Sequence, residues 1–370
     1  MKRKLALGLV LLLTITIFAA GCGTTPSGND SSDIASKGGA PVADPSGGDL
    51  PKIELSLAIH DPLTSRMSQA MQAWADDVNA KTNGGLTITL YGSGSLCPGN
   101  EALNFVMDGA ADIGWLFTMY FPGQFTLPEV TTLPMIGASH PAQVAETLWD
   151  LYDSTPEMKA EIDSKIHVLQ MYANPANILS TSNKPVQSLE DIKGLKIRTA
   201  AGNPTEVAKL WGASPENVPV GDIYDAIEKG NIFGAVWDWH GLEAFKVYEN
   251  LNYYMENMYI YEGVFMLGMN IQKWDSLPQE YKDVLTETTG RSGSIEFGNI
   301  YYDAEQGAKD SILARDADAQ LVTVPDDEIA KFKAIADVYA FSWADKNSTD
   351  SFDARAYLEK ARDLLIRYQR

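Results

Sequence analysis

Gly194-Leu195-Lys196-Ile197-Arg198-Thr199-Ala200 reads as a short strand. Leu195, Ile197 and Thr199 face one way, and Lys196, Arg198 and Ala200 face the other. Asp191-Ile192-Lys193-Gly194 before it reads as a helix end closed by glycine. The stretch therefore places Arg198 near the carboxyl end of a strand in an α/β domain, where such folds put ligand sites. A guanidinium there can hold a carboxylate through two parallel hydrogen bonds. A solvated arginine on an edge strand is the competing reading.

The alternation extends outward in both directions. Upstream, Ile53, Leu55 and Leu57 alternate as a strand ending near His60. Thr64 or Ser65 can cap a helix whose Met67, Met71, Trp74 and Val78 recur at helical spacing, and Asn83-Gly84-Gly85 stops it. Residues 86–91 read as a strand, 101–108 as a short helix and 112–117 as a strand. Pro122, Pro128 and Pro134 mark a loop-rich region. Residues 141–152 read as a helix, 165–172 as a strand and 174–184 as a crossing into a second domain. Downstream, 204–211 and 222–229 read as helices ended by Gly212 and Gly230. Residues 232–237 form a strand that opens into Asp238-Trp239-His240-Gly241.

From Pro278 the pattern is helical for a long way. Tyr281, Leu285, Thr288, Ser292, Ile295 and Tyr302 lie near one stripe, with Gly290, Gly293 and Gly298 weakening it. A helix that long can bridge two domains. Amphipathic helices at 329–343 and 354–368 close the chain. The sum is α/β.

The chain has 370 residues, enough for two domains with sizeable cores. A net charge of −20 makes nucleic acid and anionic membrane surfaces poor partners. One buried cation can still reverse the local field for an anionic ligand. At the N-terminus, Lys2, Arg3 and Lys4 precede an apolar run from Leu5 to Ala20, shorter than the ~20 residues of a comfortable span. Ala19-Ala20-Gly21-Cys22 resembles a bacterial lipoprotein signal, with cleavage before Cys22 and lipid on its sulfur; a signal peptide without lipid is the alternative. Residues 23–50 are rich in Gly, Ser, Pro, Asp and Thr and read as a disordered tether. Cys97 is then the one remaining thiol, so no intramolecular disulfide is available. It reads as an inert small side chain.

Enzymatic signatures are missing from the sequence. The four histidines, His60, His140, His167 and His240, include no pair at metal-ligand spacing. Gly92-Ser-Gly-Ser95 misses a nucleophile elbow, because glycine stands where the serine belongs. Asp76-Asp77 and Asp326-Asp327 fall at helix surfaces or caps. The aromatic cluster Trp237-Asp238-Trp239-His240 stands out instead. Two indoles beside a turn can stack on a ligand and exclude water around a buried ion pair. Equally, both can pack the core.

These pieces also occur together in a known family. Leu57-Ala-Ile-His60 with Pro62, the helix end Val78-Asn-Ala-Lys-Thr-Asn-Gly-Gly85, Asp108-Gly-Ala-Ala-Asp-Ile-Gly114 and Tyr120-Phe-Pro-Gly-Gln-Phe125 with Leu133-Pro134 come in that order. Leu189-Glu-Asp-Ile-Lys-Gly-Leu-Lys-Ile-Arg198, Gly212-Ala-Ser-Pro215, Ile223-Tyr-Asp-Ala-Ile227 with Gly230, and Trp274-Asp-Ser-Leu-Pro278 follow. In this order they resemble the solute-binding subunits of tripartite ATP-independent periplasmic (TRAP) transporters, the DctP family.

The resemblance implies a two-domain periplasmic-binding-protein fold with crossing strands and a long inter-domain helix. Residues 51–174 with about 264–300 would form one lobe, and 175–263 with about 301–370 the other, including the C-terminal helices. It implies a monomeric receptor, not an enzyme, that closes on a small organic acid and delivers it to a membrane permease. A ligand-sensing lipoprotein feeding a signalling partner is the alternative. No cofactor, metal or catalytic residue is expected. Arg198 matches the family's carboxylate clamp. The further candidate ligand contacts are Trp237, Asp238, Trp239, Phe117, Trp115, His60, Asn177 and Val220.

The sequence departs from sialic-acid and dicarboxylate binders. It lacks their second arginine near Asn177-Ile178, their acidic pocket residue falls near Phe117, and Val220 replaces an aromatic. The expected pocket has one strong cation and mostly apolar or aromatic walls. The expected ligand is a monocarboxylate with an apolar or aromatic body. A dicarboxylate would leave one charge poorly compensated. Asp238 holding a ligand amine or helping to hold an acid-bound cation is a further alternative.

Overall fold

A computed structural model describes residues 50–370. The signal, lipidation and tether expectations fall on residues outside that range.

Among the described residues eleven strands are formed: β1 Ile53–Ala58, β2 Leu86–Tyr91, β3 Ile113–Phe117, β4 His167–Ala173, β5 Ile178–Thr181, β6 Lys196–Arg198, β7 Ser214–Glu216, β8 Gly234–Trp237, β9 Tyr253–Met255, β10 Val264–Met269 and β11 Gln320–Val322. The helices are α1 Arg66–Lys81, α2 Ala102–Met107, α3 Pro141–Ser154, α4 Pro156–Asp163, α5 Leu189–Ile192, α6 Asn203–Leu210, α7 Ile223–Glu228, α8 Trp239–Ala244, α9 Ile271–Ser276, α10 Gln279–Thr288, α11 Gly290–Arg315, α12 Asp326–Asn347 and α13 Ala354–Arg367.

Two sheets organise them. The first has the order β2-β1-β3-β10-β4 and the second β11-β9-β5-β8-β6-β7. Strands β1, β2 and β3 are parallel, while β10 runs antiparallel to both β3 and β4. The chain thus leaves the first sheet after β4, enters the second at β5, and returns through β10. Asn177 pairs with Tyr261 where the two crossing segments pass each other. The fold is the mixed α/β, two-lobed architecture that the sequence led us to expect.

Local chemistry explains the elements that position the site. Ser65 caps α1 by accepting the backbone N–H of Ser68, and Met67, Met71, Trp74 and Val78 are its buried face. Strand β6 keeps Ile197 and Arg198 buried and Lys196 exposed, and it lies inside the sheet between β8 and β7. Arg198 is therefore not a solvated edge arginine. Strand β10 is buried along its whole length, so it shows no polar–apolar alternation to read.

Two expectations of local structure change. The long helical region is two helices, broken at Thr289. The buried face of α11 is Gly293, Ser294, Phe297, Gly298, Tyr301, Ala304, Glu305, Ala308 and Ile312, one step away from the expected Ile295 and Tyr302. Glycine does not weaken this helix idly: a Cβ on Gly298 would lie 2.6 Å from the backbone nitrogen of Ala142 in α3. Next, the turn expected after β8 is a helix, α8, capped by the Asp238 carboxylate, which accepts the Gly241 N–H. Helix α13 packs against α3 beside the first sheet, whereas α12 packs on α5 and α6 beside the second.

Helix α11 packs on α3 and β4 of one lobe and on α8 of the other. Among the described residues no helix is long and apolar enough to cross a membrane. Cys97 is buried and free, and burial pushes its thiol pKa up, away from the reactive thiolate.

Candidate functional site

The carboxyl ends of β1, β3, β6 and β8 converge on one cavity. From the first lobe it is lined by His60, Asp61, Phe117, Tyr120 and Phe265. From the second come Arg198, Val220, Trp237, Asp238 and His240 with Gly241, and the crossing segments add Asn174, Asn177 and Tyr261. Tyr301 of α11 completes the wall.

The register of the second sheet brings Arg198 to Trp237. Arg198 pairs with Ala235 across parallel strands, so both share a face. Trp237, two residues beyond Ala235, lies diagonally opposite on that face. The guanidinium sits 5.1 Å from the Trp237 ring centroid, a cation–π arrangement. Arg198 is only 4% exposed, and its Nε has no hydrogen-bond partner. The indole is seated over the first turn of α8 because residue 241 is glycine; a Cβ there would lie 2.2 Å from the ring.

Opposite, a tier of rings rises from the first sheet. Phe265 faces Phe117 across the antiparallel pair β10–β3, with centroids 4.7 Å apart. Phe265 also stacks on Trp115 at 4.5 Å, and Trp115 stacks on His60 at 4.7 Å. Trp115 donates its indole N–H to the Tyr172 hydroxyl at 2.8 Å. It supports His60 from beneath and does not line the cavity.

Trp239 also falls outside the cavity. It stacks on Tyr254 at 4.6 Å, on the other side of the strand–helix junction. Of the two indoles named as candidate ligand contacts, Trp237 lines the cavity, whereas Trp239 packs the second lobe. Asn177 lines it, but its side-chain amide donates to the Tyr261 carbonyl and fastens the crossing segments together.

The cavity is more polar than expected. Asp238 accepts from Gly241 at 2.7 Å through one oxygen and from the Asn174 amide through the other. Burial pushes its pKa up to about 6, against the pull of those donors and of Arg198. Glu305 of α11 accepts the backbone N–H groups of Trp239 and His240 at 3.0 and 2.9 Å, fixing the start of α8. Burial and the Asp238 charge push its carboxyl well above the usual range.

Asp61 is 4% exposed, and burial raises its carboxyl to about 7. Its oxygens lie 3.7 Å from His60 Nε2 and 4.0 Å from His240 Nε2. Burial lowers both imidazoles to about 4, so both are neutral at pH 7. No group of three or more metal-ligating side chains occurs among the described residues.

Asp61, Tyr120, Asn174, Tyr261, Phe265 and Tyr301 were not among the candidates read from the sequence. Asp61 adjoins His60, and Tyr120 opens a motif already noted, so those two carried a local signal.

The fold defines a class: a two-lobed α/β solute-binding protein. The chain belongs to the DctP family, described as bacterial extracellular solute-binding protein family 7, whose model matches residues 58–346. Proteins of this TRAP class bind small organic acids and work with a membrane permease. Among curated relatives, a monocarboxylate 2-oxoacid-binding periplasmic protein of Nostoc sp. is 25% identical over 301 residues, covering 78% of this chain and 75% of that one. Among solved structures, a marine-metagenome TRAP solute-binding protein specific for aromatic acid ligands, in complex with 3-hydroxybenzoate, superposes with a TM-score of 0.81 at 24% identity. The match covers 86% of this chain and all of that one. A TRAP solute-binding protein from Rhodoferax ferrireducens with copurified benzoate gives 0.79 at 24% identity, covering 86% and 98%.

Proposed function

We propose that this receptor captures a monocarboxylate with an aromatic or apolar body and passes it to its permease, held at the membrane by lipid on Cys22. The observation that carries the ligand class is the state of Arg198. Its guanidinium is buried, and no carboxylate of the described residues forms an ion pair with it within 4.0 Å. An uncompensated buried cation costs several kcal/mol, so a ligand carboxylate that supplies the missing charge is strongly favoured there.

The rings of Phe117, Phe265 and Trp237 suit an apolar body. Burying ~150 Å2 of ring at ~25 cal/mol per Å2 contributes ~4 kcal/mol. A second ligand carboxylate would meet Asp61 or Asp238 instead of a second cation, which disfavours dicarboxylates. The aromatic acids and the 2-oxoacid named for the relatives are all monocarboxylates, in keeping with this reading. A sugar acid is the second reading, favoured by the buried polar groups of Asp61 and His240; a relative from Sulfitobacter holds β-D-galacturonate on the same fold.

Closure follows from the placement of contacts. A ligand drives the lobes together only through groups on both, here Arg198 and Trp237 on one and His60 and Phe117 on the other. Titration calorimetry with benzoate, 2-oxobutanoate, galacturonate and succinate, alongside native mass spectrometry of the purified protein, tests the reading. Submicromolar binding of an aromatic or aliphatic monocarboxylate, returned unchanged, is expected. Tight succinate binding with no monocarboxylate binding would overturn it.

A further inference from the structure

Arg198 answers for one end of the ligand. The cavity holds a second pair of unsatisfied atoms that it does not use. Asp61 follows β1 in the first lobe, and its Oδ2 has no hydrogen-bond partner. His240 belongs to α8 in the second lobe, and its Nε2 has none either. The residues are 4% and 2% exposed, and the two atoms stand 4.0 Å apart. Both residues line the cavity that Arg198 lines.

Two buried polar atoms left unmatched carry a desolvation penalty each, and native structures seldom tolerate both without a purpose. At 4.0 Å they are too far apart to bond each other. One small polar atom at ~2.8 Å from each fits between them. With His240 in its Nε2–H tautomer, a hydroxyl group has the matching chemistry: it donates its hydrogen to Asp61 Oδ2 and accepts from His240 Nε2–H. A carboxylate has no hydrogen for Asp61. An ammonium has three and no acceptor capacity, so it leaves an Nε2–H unmatched.

We propose that Asp61 and His240 form a hydroxyl-binding subsite, so that the ligand is a hydroxy-substituted monocarboxylate whose hydroxyl bridges the two lobes. The proposal rests on the carboxylate reading of Arg198. It adds that closure is completed at this end of the cavity: one ligand atom satisfies a residue from each lobe only when the lobes are together. The burial that holds both imidazoles neutral and raises Asp61 also favours an uncharged group here over an ion.

The test is a matched-pair titration on the full chain after ligand removal. The pairs are benzoate against its 2-, 3- and 4-hydroxy derivatives, and phenylacetate against mandelate. At least one hydroxylated acid is expected to bind tenfold or more tighter than its parent. In Asp61→Ala and in His240→Phe that ratio is expected to fall toward one; the ratio is read within each variant, so a general loss of affinity does not mimic the effect. Parent and hydroxylated acids binding the wild type equally would overturn the subsite and leave the Arg198 clamp standing, as would a ratio preserved in both variants. An amino-substituted acid preferred over the hydroxylated one would overturn the subsite too. Binding of no acid at all would overturn the clamp, and the subsite with it.

Discussion

Asn174 donates its side-chain amide to Asp238, and the other oxygen of that carboxylate accepts the Gly241 N–H. Asn174 in turn accepts the backbone N–H of Gly263 through its own carbonyl oxygen. A residue of one crossing segment is thereby tied both to the other crossing segment and to the start of α8. Asp238 is committed to structure. It is a helix cap that also lines the cavity.

The commitment has a measurable consequence. Asp238→Ala removes a cap and strands the Asn174 amide, and should cost about 1–3 kcal/mol, lowering Tm by several degrees. Asp238→Asn keeps an acceptor for Gly241 and should cost less. Ligand affinity in EDTA should stay within about twofold of that in calcium. A tenfold loss restored by calcium would return Asp238 to the ligand set.

Arg198 lies in the opposite condition, charged and unpaired. Replacing a buried unpaired cation by alanine removes a desolvation cost that the empty protein bears, so Arg198→Ala should melt within about 3 °C of the wild type or above it. The same substitution leaves a bound carboxylate without its cation and should weaken binding at least ~100-fold. Calorimetry and thermal melts on one preparation check both halves. Retained micromolar affinity would contradict the clamp.

The part of this site that was legible in the sequence is the part encoded locally. Arg198 announces itself by charge at a strand end, and Trp237 by its place at the end of the neighbouring strand. Trp239 does not follow Trp237 into the cavity because two positions further the chain has turned from strand to helix, where successive side chains rotate by about 100°. Asp61 and His240 could not be paired from the sequence, since their approach depends on two sheets meeting far along the chain. The face of α11 was missed for a related reason. Apolar residues do not mark its buried stripe: close packing puts small residues there, Ser294 and Gly298 against α3 and Gly293 against Thr288 and Gln170.

Glu262 gives a prediction about pH. It lies on the crossing segment before β10, is 1% exposed, and neither carboxyl oxygen has a hydrogen-bond partner. Burial pushes its pKa well above the ordinary carboxylate value of 4.5. A raised folded-state pKa means that the folded chain holds this proton more tightly than the unfolded chain. The resulting stability is fully present below pH 4.5 and is lost as pH rises toward the folded pKa. Glu262→Gln stays neutral throughout. The variant and wild type should melt together near pH 4, and the variant should melt higher by a few degrees at pH 8. Parallel pH profiles of Tm would show that Glu262 finds a partner in solution.

Gly298 and Gly307 lie on the same helix and separate two effects of glycine. In an open helix position, Gly→Ala stabilises by about 0.5–1 kcal/mol through backbone entropy. At Gly307 the atoms a Cβ would meet are the far end of the Arg66 side chain, at 3.0 Å, which can move aside. At Gly298 they are backbone atoms of Ala142 at 2.6 and 2.8 Å, which cannot move without displacing α3. Overpacking of that kind costs about 1–3 kcal/mol and outweighs the entropic gain. Gly307→Ala should therefore raise Tm slightly while Gly298→Ala lowers it. Because α11 also packs on β4 and α8, the second change should loosen the bridge between the lobes and weaken ligand affinity as well. Equal stabilisation by both substitutions would mean that α11 and α3 do not pack backbone to backbone.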